Sequence, residues 1–474
     1  MGSTRRLVGT ASLIILAALA LLTGGLTAVQ PLAAIAAVTL IGLAACWSSV
    51  LRLCRESAWA VPVIVAMVAI LIDVNGVTSS DSPARYVATT VLAGVVLLLR
   101  QPGLIGSRAI RITAGLLFVY AVGGTFYGRL AYGTPDGALP VVAPLLLVLL
   151  GPVRLPTGDG ATIRALKILS VLGSTYGIAT AADYATLGPG SAPVFSHEKA
   201  FLVILAIGSA LAARSRMLLV FSVTAAALAF SQYPAATYVA AALAASLTVL
   251  VAHVGMGRIA RLAAAAVILP TTLIAVLNID SLITFTAPYF ALVGKTDNGS
   301  TRATLYRLAL DQIDKSPWVS ELFTGNLTVI TKISGRTGVV IPVHNDYLGA
   351  TLGGGIVAAS LFIGIFLFAN GLALRTLPTA SPVRRRAIIA LLASLNAAAL
   401  TAFANPIFMN PGSSVAVYSI LIGLMSLCVR GEPAPGAAGL VADDAALAAG
   451  HQRTGSPPWS RWRRPQPLVA RADS

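Results

Sequence analysis

The chain has 474 residues, 57% of them hydrophobic and 11% charged, with a formal net charge of +16. Soluble domains carry about 25% charged residues, so the composition sets the chain far outside that class. The positive charge does not point to nucleic acid, because Lys and Arg sit in short connections between apolar runs and in the C-terminal tail, the pattern that keeps loops on the cytoplasmic side of a membrane.

Apolar runs of about 17–25 residues recur along the chain, each long enough to cross a hydrocarbon core of roughly 30 Å. The first, residues 7–29, follows Arg5 and Arg6 and is longer than the apolar core of a secretory signal, so it reads as an uncleaved helix. Further spans are predicted at residues 32–51, 58–74, 87–99, 112–127, 139–153, 165–181, 200–213, 217–232, 235–253, 262–279, 347–374, 387–404 and 414–429. Several are short or rich in Ala, Gly and Pro, so the expectation is about 12–14 transmembrane helices. The fold class is therefore an all-α polytopic integral membrane protein.

Basic residues fall in alternate connections: Arg52 and Arg55, Arg108 and Arg111, Arg164 and Lys167, Arg214 and Arg216, Arg258 and Arg261, Arg375 and Arg384 to Arg386. That alternation predicts both termini in the cytoplasm. The domain reading is N-terminal transmembrane helices over residues 1–279, a large external loop over 280–345, three C-terminal transmembrane helices over 346–430 and a cytoplasmic tail over 431–474. The tail, rich in Ala, Gly, Pro and Arg, lacks the apolar surface to fold alone. Cys46, Cys54 and Cys428 form no CxxC, no external disulfide framework and no metal spacing. No metal and no cofactor is expected.

The long external loop carries the chemistry, since long connections in compact proteins are usually functional when ordered. Leu305, Leu308, Ala309 and Ile313 recur at helical spacing, with Ser300 or Thr301 as a start signal and Ser316-Pro317 as a stop. Arg307 and Asp311 stand four apart and can pair on that helix. Gly325-Asn326 and 335–338 are turn signals. Then Val343-His344-Asn345-Asp346-Tyr347 leads straight into an apolar helix. His344 can exchange a proton near neutral pH, and Asn345 can orient a hydroxyl, at the boundary where a lipid-borne headgroup would react.

These residues resemble the O-antigen ligase and bacterial polysaccharide polymerase superfamily. The ligase signature is His, then Asn, Ser or Gln, nine residues, then Gly-x-x-Gly. Here His344-Asn345 is followed by residues 346–354 and then Gly355-Ile356-Val357-Ala358, with Ala358 in place of the second glycine. Arg302, Tyr306, Pro317 and Gly325 occupy the places of an Arg, an aromatic, a Pro and a Gly that precede the His in that family, Tyr306 standing where Trp is common. An earlier loop, Phe195-Ser196-His197-Glu198-Lys199-Ala200, is similar to the family's Phe-x-His-Lys-Asn, with Glu198 intervening and Ala200 in place of Asn.

The resemblance covers roughly residues 183–429 and implies a GT-C-like glycosyltransferase of the bacterial inner membrane. It would join a glycan from an undecaprenyl-pyrophosphate-linked oligosaccharide to a glycan or lipid-glycan acceptor, without metal and with inversion at the anomeric carbon. It further implies that His344 and Asn345 are catalytic and that Arg302, with Lys199 and His197, holds the donor pyrophosphate; Arg307, on the same helix, is read as a second phosphate contact. Each has a plainer reading: His344 as an interfacial anchor, Arg302 as a surface charge at a helix start, Arg307 as the ion partner of Asp311, and Lys199 as a snorkelling anchor beside His197. The rival classes are a polysaccharide or lipid transporter or flippase, marked by buried ionisable groups and broken helices, and a non-catalytic membrane scaffold. Polymerase and ligase are not separable on these residues.

Overall fold

The computed structural model describes residues 57–72, 108–132, 145–149, 158–187, 197–232, 235–253, 299–315, 328–333, 336–342, 344–403, 405, 407–408 and 411–428. All of them belong to the unit Met1–Val429. The expected spans 7–29, 32–51, 87–99 and 262–279, and the tail 431–474, lie outside the described residues.

The fold is helical. In chain order the helices are α1 (Val61–Ile72), α2 (Arg108–Tyr132), α3 (Asp159–Leu187), α4 (Ala200–Ala212), α5 (Arg216–Gln232), α6 (Ala236–His253), α7 (Gly299–Lys315), α8 (Asp346–Thr376), α9 (Pro382–Thr401) and α10 (Pro411–Cys428). Residues 145–149 are also helical. Between α7 and α8 the strands β1 (Thr328–Ile333) and β2 (Arg336–Pro342) pair antiparallel, Thr328 opposite Pro342, with the register shifting between Thr331 and Ile333. The sequence reading expects turns there and no strands. Thr328 to Ile333 and Val339 to Ile341 are rich in β-branched residues, which suit a pleated pair.

Two helices are long and apolar enough to cross a membrane, Asp159–Ala185 and the continuous stretch Asp346–Thr379, with hydropathies of 1.3 and 2.2. α4, α5, α6 and α10 contain shorter apolar helical stretches. Large apolar side chains face outward along α2 (Ile112, Leu116, Val119) and α5 (Met217, Val220, Phe221). Exposed apolar residues in this number are a feature of surfaces that face a membrane or a partner.

The interior is mainly apolar, with polar contacts between helices. Ser222 on α5 shares hydroxyl hydrogen bonds with Ser170 (3.1 Å) and Ser174 (2.8 Å) on α3. Ser394 on α9 donates to the Phe201 carbonyl on α4 at 2.8 Å. Asn370 on α8 and Asn396 on α9 exchange side-chain amide hydrogen bonds of 2.9 and 3.0 Å, and Asn396 also donates to Thr248 on α6. Small residues let the backbones meet: a Cβ on Gly173 of α3 would lie 2.5 Å from the Leu202 carbonyl oxygen of α4. Close backbone approach and interhelical polar contacts are how helices associate where apolar burial gives no advantage.

Cross-links fix which helix ends meet. At one end, Ser57 before α1 donates to Ala161 in α3 (2.9 Å), Ser381 before α9 donates to Asp159 in α3 (3.0 Å), and Arg386 in α9 donates to Ala212 at the end of α4 (2.9 Å). Arg384 likewise donates to the Leu427 carbonyl of α10. We call this the basic end, because Arg214, Arg216, Arg375 and Arg384 to Arg386 gather there. At the opposite end lie the starts of α4, α6, α8 and α10 and the end of α9, tied together by Asn405 and Asp346.

Candidate functional site

α8 begins at a sharp corner. His344 has φ 53°, in the left-handed region, and Asn345 is extended at φ −152°, ψ 109°. The Asn345 side-chain oxygen accepts from the backbone N–H groups of Tyr347 and Leu348, both at 3.0 Å. It is thus the N-cap of α8, satisfying two donors that a helix start leaves open. The oxygen assigned from sequence to orient a hydroxyl is therefore committed to backbone. The Asn345 amide nitrogen is buried and has no hydrogen-bond partner among the described residues.

Asp346, the first helical residue, is 1% exposed. Its carboxylate accepts from the backbone N–H groups of Ile407 (2.7 Å) and Phe408 (2.6 Å) in the turn before α10. Its own N–H donates to the Ala402 carbonyl at 2.9 Å. An acid in the first turn also meets the positive end of the helix dipole. Tyr347 stacks on Phe403 with centroids 4.1 Å apart and donates to the Ala399 carbonyl at 2.8 Å. Phe362, Phe366 and Phe408 continue this aromatic packing below the corner. The His344 corner is therefore held by α9 and the 402–408 turn as well as by its own helix.

The third support comes from the external loop. Leu305, Tyr306 and Ala309 of α7 pack against Leu348 and Leu352 of α8 in an apolar cluster separate from the main core. The Tyr306 hydroxyl donates to the Phe403 carbonyl at 2.8 Å and lies 3.3 Å from the His344 carbonyl oxygen. α7 starts at Gly299, so Ser300 and Thr301 sit inside its first turn and do not precede it as caps. Its end at Lys315 agrees with the stop expected from Ser316-Pro317.

α7 also carries the basic residues singled out in the sequence. Arg302 has its backbone in the first turn of α7, and its side chain lies outside the described residues. Arg307 is exposed on the same helix, as is Asp311. His344 is half-buried, with its Nδ1 shielded from solvent. Lys199 closes the short 3-10 turn His197–Lys199 before α4 and is 9% exposed, which is unlike a chain snorkelling into water. The backbone of His197 opens that turn, and its side chain lies outside the described residues. The turn packs beside the start of α6. There Thr237 accepts from the Asn405 amide at 3.2 Å, and Asn405 adjoins the turn that Asp346 holds. The first-loop and second-loop residues thus share one end of the bundle.

Sequence reasoning misses three parts of this assembly. Asp346 had a signal, an acid directly after a helix cap. Asn405, in the turn after α9, is 2% exposed and joins α6. Gly355, the first glycine of the signature, has φ 67° and ψ −173° and breaks α8. The freed backbone is met from α2: the Tyr120 hydroxyl donates to the Gly354 carbonyl at 2.9 Å. Ala358 is fully buried beyond the break. No group of His, Cys, Asp and Glu able to hold a metal occurs among the described residues. Comparison with protein-family models and with curated proteins finds no match for this chain.

Proposed function

We propose that the protein is a polytopic membrane glycosyltransferase whose active site lies at the end of the bundle opposite the basic end. The acceptor hydroxyl oxygen would attack the anomeric carbon of an undecaprenyl-pyrophosphate-linked glycan. The carbon–oxygen bond to pyrophosphate breaks, the pyrophosphate leaves with the electron pair, and His344 takes the hydroxyl proton as general base. Arg302 and Arg307, with Lys199 and His197, would neutralise the charge gathering on the leaving pyrophosphate, for which a guanidinium fork suits phosphate oxygens. Asn345 holds the helix start beside which His344 is mounted.

The observation that supports this reading best is Tyr306. It packs the helix bearing Arg302 and Arg307 onto the helix headed by His344 and reaches the His344 carbonyl itself. Arg302 and Arg307 are thereby carried on the helix that packs against the start of α8, next to His344. The resemblance to polysaccharide polymerases and O-antigen ligases names the same residues.

The test is reconstitution of the purified protein with lipid-linked oligosaccharide from its host, comparing wild type with His344→Ala and Arg302→Lys. Wild type is expected to transfer glycan. Loss of a general base commonly costs about 10²–10⁴-fold in rate, and that is the loss expected of His344→Ala. Arg302→Lys keeps the charge but loses bidentate geometry, and its rate should fall well below wild type. Full transfer by His344→Ala would sink the reading.

The broken helix at Gly355 favours a second reading, a lipid-glycan transporter, since interrupted helices line substrate paths in transporters. Movement of labelled lipid-linked oligosaccharide across proteoliposomes, with no change in glycan length, is the outcome that would select it.

A further inference from the structure

At the basic end, the segment 213–216 between α4 and α5 lies against the start of α9. Arg386 donates from Nε to the Ala212 carbonyl at 2.9 Å, which holds its guanidinium beside the Arg214 segment. Arg214 is exposed and has φ 54°, one of two non-glycine residues in the left-handed region among the described residues. Arg216 and Arg385 are exposed on either side. Among the described residues, Asp159 is the carboxylate at this end, and its Oδ1 already accepts from Ser381. No hydrogen bond or carboxylate among the described residues engages the side chains of Arg214, Arg216 or Arg385. Arg214 lies near enough to Arg386 for their like charges to repel, and an anion between them would relieve that repulsion.

The surface directly beside these arginines is apolar. Leu211 is 53% exposed, Met217 85% and Val220 66%. Met217 adjoins Arg216 in sequence, and Val220 lies one helical turn further along α5. A free anion would meet the charge and gain nothing from this apolar face. A phospholipid would meet both, its phosphate on the guanidinium groups and its acyl chains along α5.

We propose that Arg214, Arg216, Arg385 and Arg386 form a binding site for the phosphate headgroup of an anionic phospholipid, with Leu211, Met217 and Val220 as the bed for its acyl chains. The site is separate from the His344 corner and does not depend on the glycosyltransferase reading. Asp159 sets its limit, since a carboxylate at the rim disfavours a second anion. Arg386 has a structural task on Ala212, whereas Arg214 and Arg216 are exposed, so the latter two are the residues to change.

The experiment is a binding titration on the full chain in zwitterionic detergent micelles, followed by native mass spectrometry and by thermal protection. The probes are dioleoyl-phosphatidylglycerol, dioleoyl-phosphatidylcholine and inorganic phosphate. Wild type should bind and be protected by phosphatidylglycerol, and by neither of the others. Each basic residue near an anionic lipid surface contributes about fivefold in affinity, so Arg214→Gln with Arg216→Gln should weaken phosphatidylglycerol binding by about 30-fold. Lys315→Gln, an exposed change on α7 at the opposite end, should leave it unaltered. Equal protection by inorganic phosphate would overturn the lipid assignment. Unchanged phosphatidylglycerol binding in the double variant, with its melting temperature kept, would overturn the site.

Discussion

His344 holds φ 53° although it carries a Cβ, and that conformation costs an L-residue about 1–2 kcal/mol. A position of this kind is retained when its surroundings over-determine it, and here Tyr306, Asn345 and Asp346 do so from three directions. Glycine escapes the penalty, so His344→Gly should be more stable than His344→Ala by about 1 kcal/mol in reversible unfolding, while both lack transfer activity. Equal stability of the two variants would mean that the corner relaxes and stores no strain. Asp346 has the opposite character, since its carboxylate gives stability by accepting two buried backbone N–H groups. Hydrogen bonds to a charged group are worth about 1.5–3 kcal/mol each, so Asp346→Ala should cost about 3–5 kcal/mol and Asp346→Asn distinctly less. The same unfolding measurement reads this difference, and a near-neutral Asp346→Ala would show that the 405–408 turn finds other acceptors.

The break in α8 makes its first nine residues a distinct piece, packed on α7 through Leu348 and Leu352 and joined to the rest of the helix at Gly355. With φ 67° and ψ −173°, Gly355 occupies a region essentially reserved for glycine. Gly355→Ala should therefore cost about 1–3 kcal/mol, and Tyr120→Phe about 1 kcal/mol through the unpaired Gly354 carbonyl. The two share one backbone break, so the double variant should cost less than the sum of the singles; strict additivity would count against a common hinge. Run length in the sequence places α4, α5 and α6 almost at their observed ends, because apolar residues fill these helices from cap to cap. It under-measures α2 and α3, whose helical hydrogen bonds continue past the apolar window through Arg108, Arg164 and Asp183. The hairpin escapes a reading tuned to long apolar runs, since its strands are short and their β-branched residues flank a turn that was legible only as a turn. Gly355 looks the same in sequence whether it serves packing or a break, and only its backbone angles separate the two. Asn345 is equally ambiguous, because capping and substrate orientation call for the same amide.

Among the described residues, polar side chains link helices inside a mainly apolar core while large apolar side chains also face outward. Hydroxyls and amides pair inside, as Ser170 with Ser222 and Asn370 with Asn396 do, while Met217, Val220 and Val119 face out. That arrangement pairs these buried hydroxyls and amides and leaves large apolar side chains uncovered, which suits a hydrocarbon surround. The charge follows the same logic along the axis: arginines collect at one end, and the corner with His344, Asn345 and Asp346 sits at the other. Charge asymmetry of this kind orients a membrane protein with the basic end in the cytoplasm, which would set α7 and the His344 corner outside. The orientation can be measured on a background with Cys46, Cys54 and Cys428 replaced. Lys315→Cys at the end of α7 and Arg385→Cys at the start of α9 are both exposed positions. A membrane-impermeant maleimide should label Lys315→Cys in intact cells and Arg385→Cys only once the membrane is opened. Labelling of Arg385→Cys in intact cells with Lys315→Cys silent would invert the molecule, place the His344 corner in the cytoplasm and remove it from externally presented lipid-linked glycan. Labelling of both in intact cells would mean that the two ends share one compartment, and the apolar surface of α2 and α5 would then need a partner other than the bilayer.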